Sequence, residues 1–153
     1  MKKKEKASIK KEKVYEIQDQ VIQMKQFSIM VRDRLGELAR VTELMAQFGI
    51  NIVAIASETA GPQPLVRIVT EDQASTRKAL ERSGREFSEQ DILVVKLIDR
   101  PGELAKISRR LAKGGVNVES IYIFSKNDGK TELALAVNNL DKAKDILKVR
   151  EDE

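Results

Sequence analysis

The sequence predicts an α+β fold made of two like units. Three observations carry this prediction. First, the phrase "DRLGELARV" at residues 33–41 returns as "DRPGELAKI" at 99–107. Aligned without gaps, residues 33–55 and 99–121 share ten identities in 23 positions, where chance gives about one or two. Second, each copy of the phrase is preceded by a strand pattern and followed by a helical one. Third, each copy then continues with two more strand patterns and a second helical one. The order strand, helix, strand, strand, helix, strand, written twice, is the split βαβ pattern of a ferredoxin-like unit. The expected architecture is two βαββαβ units, their antiparallel sheets paired side by side, with helices on one face. A unit of about 60 residues is marginal alone, so pairing within or between chains is expected.

The elements follow in order. "FSIMV" alternates, with Phe27, Ile29 and Val31 on one face. Its counterpart, residues 92–98, is apolar on nearly both faces, as a central strand is. After the phrase, Leu38, Val41, Met45 and Phe48 form a helical stripe in the first copy, and Leu104, Ile107 and Leu111 form it in the second. Gly49 and Gly115 stop these helices. Second strands follow in "INIVAIAS" and "VNVESIYIFS", and third strands in "PLVRIVT" and "TELALAV". "KNDGK" joins the last pair, and Asp128-Gly129 is a strong signal for a two-residue hairpin. Second helices are expected over 72–82 and 141–147, and a fourth strand over 85–88. The second copy ends in "KVREDE", which leaves its fourth strand short or missing.

Residues 1–13 hold seven Lys and two Glu, and the other 140 residues hold 21 basic and 22 acidic side chains. The formal charge of +4 is therefore a property of a tail and not of a folded face. Such a tail reads as disordered. Residues 14–25 follow, where Val14, Ile17, Val21 and Met24 make one stripe of a short amphipathic helix. The units are then expected at 26–90 and 91–153. No apolar run approaches the ~18 residues of a membrane span, so a membrane partner is not expected, and nothing suggests export. Histidine and cysteine are both absent. This excludes Ser-His-Asp and Cys-His nucleophile pairs, disulfides and the usual transition-metal ligands. With no phosphate-cradling loop motif either, no enzyme, cofactor or metal site is expected, and the location expected is cytoplasmic.

The phrase itself is the turn from first strand to first helix. Pro101 suits a first helical position, where a missing N–H costs nothing. Gly36 and Gly102 let backbone or ligand come close. A helix start leaves N–H groups without partners and carries partial positive charge, which suits a small carboxylate. Asp33 and Asp99 stand just before it, where a carboxylate can hold an ammonium. Asn51 and Asn117 open the next strand, read here as lying beside the turn, and offer both a donor and an acceptor. A carboxylate receiver, an ammonium receiver and an amide clamp together describe a site for a free α-amino acid. Each residue also has a plainer reading, as a cap or turn residue.

"DRLGELARVTELMAQFGINI" and "DRPGELAKISRRLAKGGVNV" resemble the opening turn, helix and second strand of ACT domains, and the resemblance covers residues 27–147. Leu35 stands where that pattern has Pro. The resemblance implies a tandem pair of regulatory ACT domains that bind a small molecule, mostly an amino acid, at the interface between paired domains. It places the ligand against Asp33, Arg34, Leu35, Gly36, Glu37, Leu38, Asn51 and Ile52 in one copy. In the other copy the matching residues are Asp99, Arg100, Pro101, Gly102, Glu103, Leu104, Asn117 and Val118. The expected function is a metabolite-sensing module that acts allosterically through its own homo-oligomer, a dimer or larger, or through a metabolic enzyme. A second reading is a nucleic-acid-associated transcriptional regulator that uses the basic tail. A small enzyme is the third.

Overall fold

The computed structural model describes residues 21–58 and 60–148. Its elements are β1 (Val21–Met30), α1 (Glu37–Gln47), β2 (Ile52–Glu58), β3 (Leu65–Thr70) and α2 (Gln73–Ser83), followed by β4 (Phe87–Ile98), α3 (Glu103–Lys113), β5 (Val118–Asn127), β6 (Lys130–Val137) and α4 (Leu140–Lys148). They form two ferredoxin-like units of an α+β fold. The N-terminal unit is Met24–Asp91. The C-terminal unit runs from Ile92 and also takes the described residues 21–23.

In the N-terminal unit the strand order is β2-β3-β1-β4. β3 is antiparallel to both neighbours, with Phe27 opposite Ile68 and Ile55 opposite Ile68 on the other side. Alternation puts Phe27, Ile29 and Val31 into one core with Val41, Met45, Val66, Ile68 and Leu80. Each large apolar side chain buried there contributes about 1.5–3 kcal/mol. The helix stripe is narrower than its spacing suggests. Val41 and Met45 are buried and Leu44 packs beside them, but Leu38 and Phe48 stay exposed. Gly49 ends α1 with φ +65°, and Ile50 N–H reaches back to the Met45 carbonyl at 2.9 Å. At the start of α2, the Asp72 carboxylate accepts the Ser75 N–H at 3.0 Å, a side-chain cap.

The C-terminal unit repeats this plan with the order β5-β6-β4-β1. Leu93, Val95, Leu135 and Val137 pack on Ile107, Leu111, Ala143 and Leu147. Asp128 and Gly129 both take positive φ, +52° and +70°, the two-residue hairpin that the sequence predicts. The repeat extends to an irregularity: the pairing register shifts between Ile52 and Ala54 in β2 and between Val118 and Ser120 in β5, 66 positions on.

Two expectations are corrected. The helix over 14–25 does not reach its end, because residues 21–25 are strand; residues 14–20, like the tail, lie outside the described residues. From Val21 to Val31 the odd positions form one strand face, and sheet pairing overrides the helical spacing of Val21 and Met24. The fourth strand expected over 85–88 begins at Phe87 and runs on into the strand expected from 92, ending at Ile98; the division between the units, expected at 90/91, lies within this strand at 91/92. In the C-terminal unit the place of the fourth strand, beside β4, is taken by the first residues of β1. Val21 packs against the Leu93–Leu147 core, and the Lys144 ammonium donates to the Gln23 amide oxygen.

Candidate ligand-binding turns

In both copies the repeated phrase forms the turn from strand to helix, and glycine shapes it. Gly36 (φ +86°) and Gly102 (φ +92°) are the N-caps of α1 and α3, in the left-handed region that costs other residues energy. Pro101 therefore lies one residue ahead of the cap, within the turn, and is not the first helical residue. Neither helix has a side-chain cap. Asp33 and Asp99 are thus not capping residues, and the helix starts are left without a side-chain cap. Glu37 and Glu103 occupy the first turn, where the helix dipole favours a negative charge.

The two turns differ in their electrostatics. Glu37 is only 3% exposed. One of its oxygens accepts from Arg34 Nε at 2.5 Å and the other from Arg85 NH1 at 3.3 Å. The hydrogen bond from Arg34 is the main reason its carboxyl sits below the usual range; burial opposes this and Arg85 adds to it. Glu103 is held low chiefly by Arg100, with Lys106 of its own helix at 3.6 Å as a second partner. Asp99 is tied to Lys126 of β5 at 3.3 Å. Asp33 is exposed and makes no ion pair among the described residues. Around both turns apolar side chains face outward. Leu35 is 97% exposed, Leu38 45%, Leu104 46% and Ile98 43%.

The strand registers separate the asparagines from the turns. Met30 lies opposite Leu65, whereas Ile52 lies opposite Thr70, five residues along β3. Asn51 is thus at least about 17 Å along the sheet from the turn of its own unit. In the second copy Ile98 pairs with Lys130 and Val118 with Val137, a separation of about 24 Å. The expectation that each Asn sits beside its turn is corrected: within a unit, Asn51 with Ile52 and Asn117 with Val118 lie at the opposite end of the sheet. There the Asn51 amide donates to Glu71 at 3.0 Å. The Asn117 N–H donates to the Asn138 side-chain oxygen at 2.9 Å. The parallel direction of first and second strands, implied by the βαβ crossover, was the available signal for this. Nothing in the sequence linked Arg85 to Glu37, 48 positions away, or Lys126 to Asp99.

Two βαββαβ units, each opening its first helix on a left-handed glycine in a D-R-x-G-E-L turn, define a tandem regulatory module of the ACT type. The chain belongs to the ACT domain pair family, which it matches over residues 22–152. ACT domains are small-molecule-binding regulatory modules, and this chain carries two. No curated protein matches its sequence. A crystal structure of a protein from Bacteroides thetaiotaomicron is similar, with 28% identity, a TM-score of 0.76, and coverage of 84% of this chain and 88% of that one. The ligand-free regulatory subunit of aspartate kinase from Thermus thermophilus shares the fold at 23% identity and TM-score 0.61, covering 84% of this chain and 94% of that one. The corresponding subunit from Thermus flavus does so at 22% identity and TM-score 0.60, with the same coverage. Among the described residues, no helix is long and apolar enough to cross a membrane.

Proposed function

We propose that the chain senses a free amino acid and acts allosterically, through its own oligomer or through a partner enzyme. One observation carries the reading: an exposed Asp33 carboxylate, without an ion-pair partner among the described residues, stands three residues before Gly36, the N-cap at the uncapped start of α1. The carboxylate suits the ammonium of an amino acid, and the first-turn N–H groups suit its carboxylate. In the second copy Lys126 already holds Asp99, so the first turn takes the ligand by preference. Asn51 and Asn117 lie far from the turns of their own units, and we assign the amide clamp to a second copy of the chain. A partner like the kinase that the Thermus regulatory subunits serve fits such a sensor.

A thermal-shift screen over the common amino acids tests this. At ~100 times Kd, ligand linkage adds about 2.7 kcal/mol. For a chain of this size that raises Tm by about 5–10 °C. A flat response at millimolar concentrations refutes the reading.

A further inference from the structure

The N-terminal unit contains a cavity of about 590 Å³ behind the first turn, between the end of β1 and the turn from α2 to β4. Arg32, Arg34, Glu37, Arg85 and Glu86 contribute its charged lining. Asp33 and Leu35 are not part of it. We propose that this cavity binds a compact oxyanion carrying two or more charges, as a phosphate group or a pair of carboxylates does.

Glu37 organises the cavity. Each of its two oxygens takes one guanidinium, Arg34 on one side and Arg85 on the other. A guanidinium has five N–H donors in a planar fork. One bond to Glu37 therefore fixes each arginine and leaves most of its donors for a ligand. Arg32 adds a third guanidinium, exposed and without an ion pair among the described residues. Three cations against Glu37 and Glu86 leave the lining net positive. Planar forks of this kind match phosphate and carboxylate oxygens in pairs. The volume is in the range of small-molecule sites.

The internal repeat supplies a control. Sixty-six positions on, Arg34 and Glu37 have counterparts in Arg100 and Glu103, but Arg32 has Ile98. In that copy the second cation on the glutamate is Lys106 from the same helix, not an arginine from a distant turn. The fold forms there with an apolar residue at the Arg32 position. Arg32 is thus dispensable for the turn, and the three-arginine arrangement is a feature of the first copy among the described residues. The cavity shares Arg34 and Glu37 with the turn that the resemblance assigns to an amino acid, but not Asp33, on which the amino-acid reading rests.

Calorimetric titration of the full-length protein at low salt tests it, with pyrophosphate and succinate as separate probes. Saturable binding of either is expected, and the one that binds more tightly identifies the source of the charge. Arg32→Ile, which copies the second repeat, is expected to weaken binding at least tenfold with Tm unchanged. Arg85→Ala is expected to weaken it too and also to lower Tm, since Glu37 loses a partner. Absence of saturable binding by both probes, or an Arg32→Ile protein that binds like wild type, overturns the proposal.

Discussion

Arg85 reaches across 48 residues of sequence to hold Glu37, its NH1 3.3 Å from a carboxylate oxygen that is almost wholly buried. The contact ties the turn before β4 to the first residue of α1. A neutral glutamate could not hold both arginines as well. Because its carboxyl is held low in the fold, the clasp contributes stability above the unfolded-state value of about 4.3. That contribution is lost as pH falls through the lower folded value. The measurement is Tm against pH for wild type and Glu37→Gln. The variant is expected to be less stable at pH 7, with the difference shrinking steadily below about pH 4. A constant difference across that range would refute this account.

The fold was legible where one residue type had only one use. The alternating apolar residues of β1 and β6, the αL glycines after each first helix and the Asp128-Gly129 hairpin all rest on local geometry. What local geometry does not encode stayed hidden. Val21 looks like part of a helix until its packing partner, the Leu93–Leu147 core, is known. Leu38 and Leu104 fit a helical stripe, yet stand exposed in the first turn of their helices. The site was half legible. Gly36, Gly102 and the uncapped helix starts follow from the repeat, whereas Arg85 and Lys126 come from distant elements.

Gly102 measures how far the turn depends on glycine. A Cβ there meets nothing within 4 Å, so the substitution tests backbone conformation alone. Gly102→Ala at φ +92° is expected to cost about 1–2 kcal/mol, or roughly 2–8 °C in Tm. Thermal unfolding followed by circular dichroism reads this directly. An unchanged Tm would show that the turn relaxes out of the left-handed region.

Val21 tests the origin of the strand that completes the C-terminal unit. It packs on the core of that unit, and Gln23 bonds to Lys144 of α4. Val21→Ala is expected to destabilise by about 1 kcal/mol. Val21→Asp should do more, since it places an unpaired carboxylate against apolar side chains. Hydrogen exchange localises the effect: protection should fall in Ile92–Ile98 and α4, and less in α1. Equal loss throughout would argue against this assignment of the segment.

The amino-acid reading separates Asp33 from its repeat partner Asp99. Asp33 is exposed and unpaired among the described residues, whereas Asp99 carries Lys126. Asp33→Ala removes a charged hydrogen bond to ligand, worth about 1.5–3 kcal/mol, or roughly 10- to 150-fold in affinity. Asp99→Ala is expected to matter less. Titration of the amino acid found by thermal shift decides between them, and equal losses would mean that both turns are filled.

The last prediction concerns assembly. A ligand at the Asp33 turn cannot also touch Asn51 of the same unit, at least about 17 Å away along the sheet. If both residues serve one ligand, two chains must meet over it. The surface at the turn suits such a meeting, since Leu35 and Leu38 present apolar side chains to the outside and the cost of exposing them falls when a partner covers them. Sedimentation at micromolar concentration is expected to show a dimer or larger species, tightened by the bound amino acid. Leu35→Asp should shift it toward monomer and weaken ligand binding together, because it spoils the contact without entering either core. Asn51→Ala should weaken binding while leaving the free protein's assembly as it is. A wild-type chain that stays monomeric with saturating ligand would remove the shared site, leaving the Asn51 amide its bond to Glu71 and Asn117 the bond from its backbone N–H to the Asn138 side chain.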